Sequence, residues 1–390
     1  MKIGIIGAGR LGICFALLCE KAGYDVLVSD INSEYINNLN NKKIITNEPE
    51  VENLLINSKN LVATTDNKKV IEECDLIYTL VATPSLSDGS YDVSSIWDVV
   101  KELKKYLEES TNTKAQKYFV VGSTTNPGDC SSFQEYLLPS VDVMYSPEFI
   151  AQGSIIKDLE NADMVLLGTG PQQSDIMVEQ IKELYQKIQK NSVKFYSMST
   201  MSAEITKIAV NCFLTTKISY ANMLGDVLTK SGSGSEVDHV LSAIGADTRV
   251  GSKYLSYGLG YGGPCLPRDN LAFAHFVDSL GMEYNLGYVT DGFNKEHAST
   301  VADFWATQNK ENKPFFFEYI SYKKGTDIIT ESQQYQLCLD LLEKGFKTYV
   351  LDDPMVTPQV SDFLNEKYGE NVVFVDSESN IKEDYIKVKL

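Results

Sequence analysis

At roughly 150 residues per domain, 390 residues are too many for one ordinary hydrophobic core, so the chain is expected to fold as two or three domains. Hydrophobic residues at 43% and charged residues at 23% are the composition of a globular chain, which excludes wholesale disorder. Thirty-five basic against fifty-three acidic side chains give a net charge of -18, which excludes nucleic acid or an anionic membrane as a broadly bound partner and confines any anionic ligand to a local pocket.

Met1 leads directly into the strand-like KIGIIG, without a basic start, an apolar stretch and a cleavage site, and no run of about 18 apolar residues follows. No targeting or anchoring segment is expected. KIGIIG, DVLVSD, DLIYTLVATP, KYFVVGS, VDVMYSPE and DMVLLG then alternate as short apolar runs with longer amphipathic segments, which predicts a parallel sheet covered by helices. From Ser199 to Lys230 proline is absent and apolar residues recur at helical spacing, so one long helix is predicted, ended by SGSGS at 231–235. A further helical stretch runs to about Ala243, a loop rich in glycine and proline spans Gly245 to Arg268, and helices resume to about Asn309. Beyond Pro314, FFFEYI, KTYVLDD and VVFVD predict three more strands in a smaller α/β unit. The expected fold is α/β throughout. It comprises a Rossmann-like parallel sheet over 1–198, a central long-helix domain over 199–309 and a short Rossmann-like domain over 310–390.

Seven cysteines are scattered and never form CxxC, which argues against a disulfide framework or a zinc site and fits a reducing, cytoplasmic setting with no metal. The strongest local signal is GAGRLG directly after the first strand, where Gly7 permits a tight turn, Gly9 lets backbone approach a pyrophosphate, and Gly12 lets helix and strand pack closely. Arg10 and Leu11 complete this turn at a helix N-terminus, whose N–H groups suit an anion. Asp30, ending the second strand, would take the ribose hydroxyls and repel a 2′-phosphate, so NAD is expected over NADP. The second signal is GYGGPCLPRDN, where Cys265 sits among glycines and prolines with Asp269 four residues on. Cys265 reads either as a thiolate nucleophile or as a small buried hydrophobe. His239, His275 and His297 fall on helical segments outside these motifs and read as surface or packing residues.

GYGGPCLPRDN resembles the active-site cysteine segment of the UDP-glucose/GDP-mannose dehydrogenase family. VATPSLSDGSYD at 81–92, GSTTNPG at 122–128, YSPEFIAQG at 145–153, SAEITKIAVN at 202–211 and ADTRVG at 246–251 are similar to further motifs of that family, in order. The resemblance covers residues 1 to about 280. It implies oxidation of a nucleotide-sugar C6 alcohol to a carboxylate with two NAD, UDP-glucose to UDP-glucuronate being the first expectation and UDP-N-acetylhexosamine or GDP-mannose the alternatives. By resemblance Cys265 is the nucleophile, Lys207 stabilises the oxyanion, Asn211 holds the substrate oxygen, Thr124 and Asp269 position water or take its proton, and Glu148 is the remaining acid or base. Thr83, Thr124 and Arg268 join the glycine turn and Asp30 around NAD. Phe149, Arg249, Tyr254, Tyr257, Gly262 and Lys323 join Glu148, Lys207 and Asn211 around the substrate, with Arg249 reaching it across a homodimer interface. The long helix is expected to pair with its copy. The tyrosines between Lys253 and Tyr261 would line a sugar pocket or pack the loop.

Three departures from the family pattern stand out. Gln152 occupies the place of a second carboxylate, Thr330 that of an arginine, and Tyr319–Lys323 reads YISYK in place of Gly-Phe-Ala-Phe-Lys. Two other readings follow from the residues: a β-hydroxyacid-type dehydrogenase making one hydride transfer, and a silent protein that only binds NAD or sugar nucleotide.

Overall fold

The computed structural model describes residues 1–109, 117–139, 141–170 and 175–388. They form two compact units, Met1–Lys207 and Ile208–Leu390. The first holds eight strands: β1 (Lys2–Ile6), β2 (Asp25–Ser29), β3 (Leu61–Thr64), β4 (Leu76–Thr79), β5 (Tyr118–Val121), β6 (Asp142–Tyr145), β7 (Met164–Thr169) and β8 (Lys194–Ser199). Their order is β3-β2-β1-β4-β5-β6-β7-β8. Strand β1 pairs in parallel with both β2 and β4, so the order reverses at β1 and opens a crevice beyond the carboxyl ends of these strands.

Alternation along the strands feeds two cores. Ile3, Ile5, Val26, Val28, Leu76 and Tyr78 pack with helix Arg10–Lys21 on one face; Ile6, Leu27, Ile77, Phe119 and Val121 pack with helix Ser94–Glu109 on the other. Strands apolar on both faces are what a sheet covered twice requires. One strand pair departs from the parallel expectation. Strands β6 and β7 meet antiparallel, at Tyr145 and Gly168, because the connection between them carries only the six-residue helix Ile155–Glu160 and does not cross the sheet.

The long helix runs from Thr200 to Lys230, 31 residues, as its unbroken apolar periodicity predicts. It ends where Gly232 turns left-handed at φ +87 and the Ser233 N–H reaches back to Leu228 O at 2.8 Å. In the second unit, helices Val237–Ala246, Leu266–Ser279 and Leu286–Gln308 lead to a four-stranded parallel sheet. Its strands are β9 (Phe315–Phe317), β10 (Thr348–Val350), β11 (Val372–Phe374) and β12 (Ile386–Lys387), in the order β11-β10-β9-β12. Third, second, first, fourth is also the order of β3-β2-β1-β4, so the two ends of the chain share an architecture. Among the described residues no helix is long and apolar enough to cross a membrane.

Candidate dinucleotide cleft and cysteine loop

Two of the three glycines after β1, Gly7 and Gly12, are demanded by space. Gly7 adopts φ +100, and a Cβ there would lie 2.7 Å from the Leu80 carbonyl and Val81 N. A Cβ on Gly12 would stand 1.9 Å from Gly7 O, which is why helix Arg10–Lys21 can pack directly on the turn. Around Gly9 a Cβ would meet nothing within 4 Å, and Gly9 begins the helix without a side-chain cap, so a ligand can approach the backbone at this helix N-terminus. Asp30 is held over this turn: its two oxygens accept the Ala8 N–H at 3.1 Å and the Asn32 N–H at 3.0 Å. Thr83 is buried nearby in sequence after β4, while Arg10 is exposed and Leu11 half-buried. A bare backbone surface for a pyrophosphate, with a fixed carboxylate for ribose hydroxyls, fits NAD.

A second group in the same unit surrounds Glu148. Burial pushes its carboxyl up to about 7, against the opposing pull of the Tyr185 hydroxyl, which donates to Oε1, and of the Lys207 charge. Ser146 Oγ lies 3.3 Å from that same tyrosine hydroxyl. Lys207 is only 9% exposed; its Nζ donates to Glu148 O at 2.8 Å and sits 4.7 Å from the Phe149 ring centroid. Glu148, Phe149 and Lys207 therefore stand together.

Glu204, three residues before Lys207, has different partners. Its buried carboxylate accepts from Thr125 Oγ1 (2.9 Å), Gly128 N (2.8 Å) and Cys130 N (2.9 Å), tying the half-buried Thr124 segment to the start of helix Asp129–Leu137. Burial pushes this carboxyl up, and the two backbone N–H groups pull it back. Glu48 acts likewise on the loop after Glu148, accepting from Gly153 N at 2.6 Å and Ile155 N at 3.2 Å, just after the half-buried Gln152.

In the second unit, Cys265 is the N-cap of helix Leu266–Ser279 and makes no capping bond with its side chain. It is half-buried, while Cys14, Cys19, Cys74, Cys130, Cys212 and Cys338 are buried. Burial pushes the thiols of Cys74 and Cys338 up to about 12. Asp269, one turn into the helix and 1% exposed, accepts the Asn211 amide at 2.7 Å and lies 3.4 Å from Arg268 Nε. Its neighbour Asn270, fully buried, accepts from Thr215 and Thr290 and donates to Gly287 O. Backbone spacing forces the glycines before Cys265. A Cβ on Gly262 would fall 2.3 Å from Glu331 O, and one on Gly263, at φ +81, would fall 2.4 Å from the Tyr322 ring.

Tyr254, Tyr257 and Gly258 line a cavity of about 410 Å³ with Tyr319 and Gln334. Lys323 and Thr330 are exposed. Arg249 pairs with Asp247 of its own loop, Nη2 to Oδ2 at 2.6 Å, and its side chain is 87% exposed. Tyr185, Glu48 and Asn270 were not singled out by sequence. Tyr185 and Glu48 lie in stretches without motif character; Asn270 adjoins Asp269 in GYGGPCLPRDN, and that proximity is the one signal available for it.

The profile of the UDP-glucose/GDP-mannose dehydrogenase family, NAD binding domain, matches residues 1–189, and that of the family's central domain matches residues 201–296. A UDP-glucose 6-dehydrogenase of Rickettsia bellii is 24% identical over 386 residues, covering 97% of this chain and 86% of the relative. UDP-glucose 6-dehydrogenase YwqF of Bacillus subtilis is 29% identical over 383 residues, covering 95% and 84%. Among solved structures, a UDP-glucose dehydrogenase from Pyrobaculum islandicum superposes with a TM-score of 0.84 at 25% identity, over 97% of this chain and 87% of that one. A UDP-D-ManNAc dehydrogenase from Pyrococcus horikoshii shares the fold with a TM-score of 0.75 at 20% identity, over 99% of both chains. The chain belongs to the UDP-glucose/GDP-mannose dehydrogenase family, the NAD-dependent dehydrogenases of nucleotide sugars, and NAD is its cofactor.

Proposed function

We propose that the chain oxidises the C6 alcohol of a nucleotide sugar, UDP-glucose first, to the carboxylate through a covalent intermediate on Cys265. The observation that carries this reading is Cys265 itself, half-buried at the N-terminus of a 14-residue helix, where the positive end of the helix favours a thiolate. Bound NAD supplies the acceptor for the hydride lost from C6 at each of two oxidations. The hydroxyl proton goes to a base, and Glu148, held near neutrality by burial, suits both taking and returning a proton. Lys207 is the buried cation that stabilises negative charge on the substrate oxygen, and Asn211 helps hold that oxygen. Sγ of Cys265 adds to the aldehyde carbon to give a thiohemiacetal, whose oxidation leaves a thioester; water then cleaves the C–S bond and returns the thiolate. Asp269, fixed by the Asn211 amide, and Thr124 position that water and take its proton.

Tyr254, Tyr257, Gly262 and Lys323 serve the nucleotide sugar, with the 410 Å³ cavity as its pocket. UDP-glucose is preferred because it is the sugar nucleotide in the names of the Rickettsia, Bacillus and Pyrobaculum relatives. The chain works as a homodimer in which Arg249 serves the partner's substrate. Phe213, Tyr220 and Val227, seven residues apart on the long helix and 65%, 49% and 54% exposed, form an apolar stripe suited to a second copy. The test is a panel of UDP-glucose, UDP-N-acetylhexosamines and GDP-mannose with NAD. Two NADH per UDP-glucose are expected, and Cys265→Ser should abolish the second. A yield of one NADH with release of aldehyde would reject the covalent route, and no NADH with any sugar nucleotide would reject the enzyme.

A further inference from the structure

The backbone from Gly258 to Tyr261 belongs to no helix or strand, yet its polar groups are matched by three side chains from two helices. From the long helix, Asn222 accepts the Gly258 N–H and donates to Leu259 O, both at 3.1 Å. From helix Leu286–Gln308, Asn294 treats Tyr261 the same way, accepting its N–H at 2.8 Å and donating to its carbonyl at 2.9 Å. Three residues further on, His297 Nε2 lies 2.8 Å from Gly258 O, and its Nδ1 lies 2.9 Å from Asp226 Oδ2. Asp226 Oδ1 in turn accepts the Tyr257 hydroxyl at 2.9 Å. Asn222, Asn294 and His297 are 1%, 8% and 1% exposed, so the histidine read from sequence as a surface or packing residue is a buried polar tie.

Both partners of the imidazole are oxygens that only accept. Phe293 stacks on that ring at 5.8 Å and 13°, and Tyr257 meets it edge-on at 5.7 Å. The loop is fitted to this grip: a Cβ on Gly260 would fall 2.2 Å from Asn294 Oδ1, and one on Gly225 would fall 2.0 Å from the Tyr257 ring. Water could satisfy a surface loop at little cost. Burying two amides and an imidazole to do so loses their own hydration and yields a single backbone conformation. The gripped segment ends four residues before Cys265, and the Tyr261 hydroxyl lies 3.3 Å from the amide of Asn270, the neighbour of Asp269.

We propose that His297, with Asn222 and Asn294, is a positioning residue that fixes the Tyr257–Tyr261 loop and thereby sets the substrate pocket and the presentation of Cys265. The inference rests on Cys265 being the nucleophile of the proposed reaction. His297→Gln keeps a donor near Nε2 and so the tie to Gly258, while His297→Asn keeps only the donor near Nδ1 and releases the loop. Two readouts are taken on the full chain: KM for UDP-glucose against KM for NAD, and the rate at which iodoacetamide alkylates Cys265, followed by mass spectrometry. For His297→Asn, loss of one buried hydrogen bond should raise KM for UDP-glucose about tenfold and change the alkylation rate severalfold, with KM for NAD unchanged. His297→Gln should stay within about threefold of the parent on both readouts, less than half the free-energy change of a tenfold effect. Unchanged KM and alkylation in a folded His297→Asn protein would overturn the proposal, as would equal losses in both variants confined to kcat. Should His297→Asn not fold, Asp226→Asn, which removes the carboxylate holding the ring, must show the same two changes, and parental values there would overturn it. If the parent fails to reduce NAD with every sugar nucleotide of the panel, the functional reading fails while alkylation still reports on the loop.

Discussion

Glu148 shows how one side chain's surroundings set its chemistry. Its carboxyl rises from 4.5 to about 7 because burial withholds solvent from the charged form, and the Tyr185 hydroxyl and Lys207 recover only part of that loss. The folded protein therefore takes up a proton at Glu148 below about pH 7, and the unfolded chain only below about 4.5. Between these values the folded state binds more protons, so the stability owed to this group falls as pH rises through the window and is level above it. Urea melts should show the parent losing stability relative to Glu148→Gln across that window; parallel curves would mean that the carboxyl titrates normally. In the proposed role as base, the same group gives kcat a limb rising through about 7. That limb should vanish in Glu148→Gln and move to higher pH in Tyr185→Phe, where the donor favouring the carboxylate is gone. A limb unmoved in both variants would assign it to another residue.

At the scale of elements, the long helix works through its two ends differently. Near its start Glu204 supplies the acceptors that helix Asp129–Leu137 lacks at its own N-terminus. Glu204→Ala strands two backbone N–H groups and the Thr125 hydroxyl, and unfolding by urea should show a loss of about 3 kcal/mol. A loss below about 1 kcal/mol would mean that water replaces the carboxylate. Further along, Phe213→Asp with Val227→Asp should shift the light-scattering mass from two chains to one, because a charge in an apolar helix seam is left unpaired; a mass unaffected by the pair would remove this stripe from the interface. The long helix and the central strands were legible in the sequence because their apolar periodicity is unbroken. Strands β3, β8 and β12 were not. Strand β8 is a half-exposed edge of mixed polarity, and β12 has only two residues, so neither carries a burial pattern. The site divides the same way. Cys265, Lys207 and Gly7 sit in segments whose glycines or spacing announce them, whereas Tyr185 meets Glu148 across 37 residues and Glu48 meets Gly153 across 105, pairings set by the fold and not by any local pattern.

Over the whole molecule, the order third, second, first, fourth recurs in both sheets, and in each the strand made first ends between two neighbours. In the second sheet that strand is β9, three phenylalanines with no exposed surface, and the neighbour on one side is the two-residue β12. Strand β12 is thus a cover as well as a strand: Ile386 N–H bonds Pro314 O at 2.8 Å, and Val388 N–H bonds Phe316 O at 2.9 Å. Ending the chain before Ile386 would leave an uncharged, wholly aromatic edge open to pairing with other molecules. Such a truncated protein should scatter light and bind amyloid dyes at concentrations where the full chain stays clear, and a truncated protein that stays clear would show that the edge needs no cover. A two-residue strand near the carboxyl terminus would then be what keeps a Phe-Phe-Phe segment from seeding fibrils.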